Sequence, residues 1–283
     1  MSTLFAGLVD DAAVFPPGLS PLDAAMVSHR VWQAGPIGPY LGPLLVPAER
    51  ASELLPMLSV DEVDIVLIGS PGGVPELTAA VRLLTRPGLR VVGVELPLQQ
   101  DETDPAPTVR ALAPLLTAGL TVAVELGRQR PLDVLRALAM LPEVDDGSVR
   151  AKFRTGGADP AQVPSFAELA VVLHAAVDAG IGIKLTAGLH HAVATHRSES
   201  APTHGVLNVI NAVDAADRGA SRSRVAAILA QVDPADAVRR LDEARVAAVR
   251  STFLSFGCCG VTEPLAEIAA LGVIPPLTAS VPA

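Results

Sequence analysis

The chain has 283 residues, half of them hydrophobic, with an aromatic share of only 3% and a formal net charge of -9 at pH 7. A core of that composition is built from Ala, Val, Leu and Ile, which suits parallel strands covered by helices. The acidic balance and the lack of any Lys/Arg run argue against a nucleic-acid partner, and no stretch approaches the roughly 18 apolar residues of a membrane span.

The first expected strand is Phe5–Val9, followed by Leu41–Val46, Val63–Ile68, Val91–Glu95, Thr121–Glu125, Val149–Phe153, Ile181–Leu185 and Thr252–Phe256. Helices are expected between them at Pro21–Gln33, Glu49–Met57, Pro75–Leu84, Thr108–Ala118, Pro131–Leu141 and Ser165–Ala179, with Glu263–Leu271 last. Several begin with Pro or a Ser/Thr cap, as helix starts do. Eight alternations of strand and helix imply an α/β fold, a (β/α)8 TIM barrel spanning residues 1–274 as one domain.

The seventh connection is abnormally long, about 189–250. It contains Gly205–Arg218, Ser223–Gln231 and Ala235–Arg250, all apolar at helical spacing. Residues 205–211 compete as a strand, but apolar positions 206, 209, 210 and 213 fit a helix better. This helical insertion between strands 7 and 8 reads as a lid or a homo-oligomer surface. The Pro-rich tail, 275–283, is expected to be loosely ordered.

Strand parity sorts the charges, because alternate residues face opposite sides. Val92 and Val94 oppose Glu95; Val122 and Val124 oppose Glu125; Ala151 and Phe153 oppose Lys152 and Arg154; Ile183 and Leu185 oppose Lys184. If the apolar parity faces the helices, Glu95, Glu125, Lys152, Arg154 and Lys184 face the lumen near the C-terminal strand ends. Active sites of this fold lie there. Two acids and three bases leave positive potential for a small anionic metabolite. The bland alternative is a buried ion network without chemistry.

Lys152-Phe153-Arg154-Thr155-Gly156 and Lys184-Leu185-Thr186-Ala187-Gly188 resemble the motifs on strands six and seven of the deoxyribose-phosphate aldolase family, a class I aldolase barrel. The resemblance covers about a dozen residues. It implies a lyase in which Lys152 forms a Schiff base and Lys184 perturbs its pKa, with no cofactor. The chain departs from that family in offering Glu95 for the aspartate of strand four. Asp10-Asp11-Ala12-Ala13-Val14-Phe15-Pro16-Pro17 resembles the start of an uncharacterised bacterial TIM-barrel family.

Other candidates lie in loops. Asp10 and Asp11 lie where the first strand ends, and a carboxylate there, Asp11 above all, is a candidate to orient a substrate hydroxyl or bind a metal, against a turn or cap. His190, beside His191, is a candidate acid/base or anion ligand, although adjacent histidines are poorly spaced for one metal. His196 and His204 are weaker. Gly156 and the Gly257-Cys258-Cys259-Gly260 turn offer backbone N–H groups for an anion; the cysteines read more readily as small core residues than as a catalytic thiol. Ser70-Pro71-Gly72-Gly73 is a further loop of low specificity.

Three functions follow from these residues. The first is an aldolase-like enzyme acting on a small anionic carbonyl compound, with Lys152, Lys184, Glu95 and Glu125 catalytic and Arg154, Asp11, His190, Gly156 and Gly257 binding substrate. The second is a divalent-metal-dependent lyase, isomerase or hydrolase with Glu, Asp and His ligands. The third is a non-catalytic binding barrel. Two adjacent cysteines give no disulfide framework and Met1–Phe5 lacks a signal-peptide start, so a cytoplasmic location is expected.

Overall fold

The computed structural model describes residues 3–57, 62–85, 89–98, 104–142, 147–157, 162–195 and 203–277. Eight strands close into a barrel in chain order: β1 (Val9–Asp11), β2 (Leu41–Pro47), β3 (Val63–Ile68), β4 (Leu89–Pro97), β5 (Thr121–Glu125), β6 (Val149–Arg154), β7 (Ile183–Thr186) and β8 (Phe253–Cys258). Every neighbouring pair is parallel, and β8 closes on β1 with Asp10 opposite Gly257. This is the expected (β/α)8 architecture. Val63, Ile65 and Leu67, or Val122 and Val124, are fully buried on the outward parity, as expected for a parallel sheet covered by helices.

The helical layer follows from the apolar stripes. In α2 (Val74–Leu84), after α1 (Leu22–Ala34), the buried residues are Leu77, Ala80, Val81 and Leu84, at i, i+3, i+4 and i+7. Next come α3 (Ala106–Ala111), α4 (Ala113–Thr117), α5 (Pro131–Leu138) and α6 (Phe166–Asp178). A reciprocal capping box between Ser165 and Glu168 sets the start of α6.

The insertion supplies α7 (Val206–Asp217), α8 (Arg222–Leu229), α9 (Pro234–Ala237) and α10 (Glu243–Thr252), and α11 (Thr262–Ala270) follows β8. Helix α7 is buried around most of its circumference, packed against α6, α8 and α10. Its polar side chains are all engaged. Asn208 Nδ2 donates to the carbonyls of Ile228 (2.9 Å) and Gln231 (2.7 Å), Asn211 Nδ2 donates to Ala237 O (2.8 Å), and Arg245 Nε donates to Asp214 Oδ1 (2.6 Å). Buried amides bonded in this way fix the insertion as a packed continuation of the helical layer.

Several boundaries differ from expectation. The first strand is Val9–Asp11 rather than Phe5–Val9, because Thr3–Phe5 forms a 3-10 turn and Gly7 takes a φ of 55°. Ala48–Met57 is a 3-10 helix. Thr108–Ala118 is two helices, broken just before Pro114, whose ring cannot donate an N–H. Ala235–Arg250 is also two: Val238 is extended, and Asp242 restarts the helix by accepting the Arg245 N–H at 2.9 Å. The final six residues of the tail, 278–283, and His196 lie outside the described residues.

Candidate active site at the mouth of the barrel

Lys152 on β6 lies 2.7 Å from Glu95 Oε2 on β4 and 2.8 Å from Glu125 Oε2 on β5. Strands β4 and β6 are not neighbours, so that contact crosses the lumen, and the inward parity of both side chains follows. Lys184 on β7 also pairs with Glu95, and its Nζ lies 2.6 Å from Asp10 Oδ2 on β1. Arg154, one inward position above Lys152, reaches Glu125 at 3.6 Å. Six side chains thus form one alternating chain: Asp10, Lys184, Glu95, Lys152, Glu125, Arg154. Three acids and three bases make its formal charge zero.

Burial grades along that chain. Asp10, Glu95, Lys152 and Lys184 are buried, Glu125 is 14% exposed at its side chain and Arg154 53%. The dry end is therefore held by pairing, since an unpaired ammonium or carboxylate there is costly. The wet end presents a guanidinium to solvent.

The two buried carboxyls are pushed apart. Burial raises Glu95, but the charges of Lys152 and Lys184 together outweigh it and hold the group at about 2. Burial likewise raises Asp10; Lys184 and Ser255 oppose it without cancelling it, so its pKa stays above the ordinary aspartate value. Burial lowers both lysines, yet Glu95 with Glu125 raises Lys152, and Asp10 with Glu95 raises Lys184, above the ordinary lysine range. Both lysines rest as ammonium ions. Their proximity to one another does not by itself free an amine.

The opposite side of the lumen is apolar. Ala12, Leu45 and Val66 form a small cluster separate from the main core, with Phe15, Ile68 and Val92 packed against it. Val92, expected to face the helices with Val94, packs here instead, because β4 shifts register against β3 between Val91 and Gly93. A Cβ on Gly257 would come 3.2 Å from both Leu45 Cδ1 and Thr186 Oγ1, so this glycine lies in the lumen between the two walls.

Asp11 does not join the site. Its neighbour Asp10 takes the inward parity, and Asp11 turns outward to His29 of α1, 3.0 Å away, while its other oxygen accepts the Ala13 N–H. Gly156 serves a backbone clasp. A Cβ there would approach Gly188 Cα to 2.7 Å; Gly188 has a φ of 80°, and Thr155 Oγ1 donates to the carbonyls of Thr186 and Ala187. The Thr-Gly of the strand-six motif thus locks β6 to β7. His190 lies at the rim against Glu263, and His191 against Glu267. His204 is buried, and its Nε2 donates to the Pro164 carbonyl oxygen at 2.9 Å. Glu76 occupies the Ser70 hydroxyl.

The sequence offers Asp10 and Asp11 together at the end of the first strand, and the structure brings only Asp10 into the site. Ser255, which donates to Asp10 at 2.8 Å, and Gly42, where a Cβ would collide with the Asp10 carboxylate, were missed. The inward Ser255 is legible from strand parity alone; Gly42 is legible only once β1 and β2 are paired.

The metal ligands proposed from sequence are dispersed: Glu95 and Glu125 face lysines, Asp11 faces α1 and His190 faces α11. Among the described residues, no three His, Cys, Asp or Glu side chains are arranged to hold a metal ion. A groove of about 490 Å³ lies elsewhere, on the outer helical layer, lined by Arg128, Leu132, Arg136 and Val172. It contains none of the convergent charges, and in this fold chemistry belongs to the strand ends. No helix among the described residues is long and apolar enough to cross a membrane. No protein-family model and no curated protein matches the chain.

Proposed function

We propose that the barrel is an enzyme acting on a small anionic carbonyl compound, aldolase-like, through an imine at Lys152. The observation that carries this reading is the graded chain of charges: a dry lysine between two carboxylates, with Arg154 exposed directly above. The planar guanidinium suits a carboxylate or phosphate, which it binds with two N–H groups at once.

The resting ammonium sets the first step. Lys152 gives a proton to Glu125, the more accessible of its carboxylates. Burial is the largest single influence on Lys152 and favours the neutral amine, so neutralising Glu125 removes part of what opposes it. The amine nitrogen attacks the carbonyl carbon and the carbonyl oxygen becomes the hydroxyl of a carbinolamine. Glu125 returns its proton to that hydroxyl, which leaves as water. The iminium carries the one positive charge that the ammonium had, so once it has formed Glu95 and Glu125 again face a cation. Asp10, held towards its protonated form beside Lys184, is the group suited to supply or receive a proton in the following carbon-centred step.

The test is reductive trapping. Small aldehydes and keto acids are incubated with borohydride and the protein is mapped by mass spectrometry. The expected result is a reduced adduct on Lys152, weakened in Arg154→Ala, an exposed change that leaves the buried pairs intact. Lys152→Ala should lose the adduct. An adduct on Lys184 would overturn the assignment of roles. No adduct on folded protein with any carbonyl probe would favour a charge network that only closes the barrel.

A further inference from the structure

A second group of reactive side chains lies at the rim and takes no part in the lysine–carboxylate chain. His190 Nδ1 is 2.7 Å from Glu263 Oε2 at the start of α11. Its Nε2 lies 3.7 Å from Cys259 Sγ, and Cys258 Sγ lies 3.7 Å from Nδ1. Thiol, imidazole and carboxylate follow one another in the order of a nucleophile, its base and the group that orients the base. With Nδ1–H donated to Glu263, Nε2 is left to accept the Cys259 proton.

Two glycines, Gly260 of the Gly-Cys-Cys-Gly turn and Gly18 of the first loop, leave room for this arrangement. A Cβ on Gly260 would come 2.7 Å from Glu263 Cδ, in the space the carboxylate needs to reach His190. A Cβ on Gly18 would come 3.0 Å from Cys259 Cβ, so the first loop packs closely on that cysteine. The second carboxylate of α11, Glu267, is taken by His191 at 2.9 Å and the Ala192 N–H at 2.7 Å. The thiols differ in access: Cys258 is buried and Cys259 half-buried.

We propose that Cys259, activated by His190 and Glu263, is a nucleophilic thiol that exchanges with low-molecular-weight disulfides and becomes modified at the rim of the barrel. The Cys259 proton passes to His190 Nε2. The thiolate sulfur attacks one sulfur of the small disulfide, whose S–S bond breaks as the new one forms. The departing half leaves as a thiolate and takes the proton from His190. Cys259 ends at the disulfide level and one half of the small disulfide is reduced to a thiol. Hydrogen bonds to the sulfurs of Cys258 and Cys259 come first in holding His190 towards its imidazolium form, up to about 11 against the effect of burial, and Glu263 adds to them. A mixed disulfide needs an accessible sulfur, and of the two cysteines only Cys259 is not fully buried.

Two measurements on the full chain test this. Iodoacetamide at pH 6.5, followed by peptide mass spectrometry, should alkylate Cys259 about tenfold faster than N-acetylcysteine. His190→Asn should bring the rate down to that of the free thiol. Glu263→Gln, on an exposed side chain, should lower it partway and stands in if His190→Asn does not fold. Oxidised glutathione should add one reducible adduct, on Cys259, absent from Cys259→Ser. An ordinary rate at Cys259, rates unchanged in both variants, or an adduct on Cys258 would overturn the proposal.

Discussion

From β1 to β3 the lumen is lined by Ala12, Leu45, Val66 and Ile68, with Phe15 against them; from β4 to β7 it is lined by Glu95, Glu125, Lys152, Arg154 and Lys184. The apolar wall supplies no hydrogen bonds to the charged one. It displaces water and keeps the local dielectric low, which strengthens each ion pair and raises the cost of leaving any charge unpaired. Among the described residues Asp10 is the one inward charge from the apolar side, and it completes the pairing of Lys184. The contrast teaches that the charged wall is stable as a set rather than as a sum of separate pairs.

The sharpest way to break this contrast is Glu95→Gln, which keeps size and removes the charge shared by two buried ammonium ions. A loss of about 3–5 kcal/mol is expected from chemical denaturation, the cost of breaking a buried pair. The same variant tests the pH dependence. Glu95 sits at about 2 in the folded chain against an ordinary 4.5, so its stabilisation is complete above 4.5 and is lost as pH falls towards 2. Asp10, raised from 3.8, works against that trend over its own range. The lysines, raised from 10.5, stabilise the fold below that value and lose their contribution as pH climbs beyond it. Denaturation midpoints across pH should show both edges in the native chain, with the acid edge flattened in Glu95→Gln. An unchanged acid edge would remove Glu95 from its central place.

A smaller effect is expected from Asp11→Ala, which strips the acceptor from buried His29 and should cost about 1–3 kcal/mol. Imine trapping at Lys152 should be unchanged by it, because Asp11 faces α1; a fall in trapping on folded protein would return Asp11 to the site. The smallest effect belongs to Leu45→Met on the apolar wall. A volume-conserving exchange there should cost less than about 1.5 kcal/mol. A loss as large as that of Glu95→Gln would mean that the two walls are equally intolerant, and the contrast would fail.

The charged wall was legible because parity is a property of the strand alone: Glu95, Glu125, Lys152, Arg154 and Lys184 each alternate with apolar neighbours over four or more residues. The choice between Asp10 and Asp11 was not, because β1 has three residues and two adjacent acids, and only pairing with β2 and β8 fixes which one points in. The partner of His190 was beyond reach for a different reason. Glu263 is 73 residues away, and nothing local to either residue announces the contact. The breaks at Pro114 and Asp242 were local signals, outweighed by apolar periodicity that ran through them. The Thr-Gly and Ala-Gly endings after the two lysines were visible as motifs, but their work in joining two backbones needs the third dimension.

That joint has a mechanical consequence. Gly156 and Gly188 touch backbone to backbone, and Thr155 grips the carbonyls of Thr186 and Ala187. His190 follows Gly188 by two residues, and Lys152 precedes Thr155 by three. A close-packed interior passes displacement on rather than absorbing it. The clasp therefore ties the segment that leads to His190 to the strand that carries Lys152, backbone against backbone, with no side chain to yield between them.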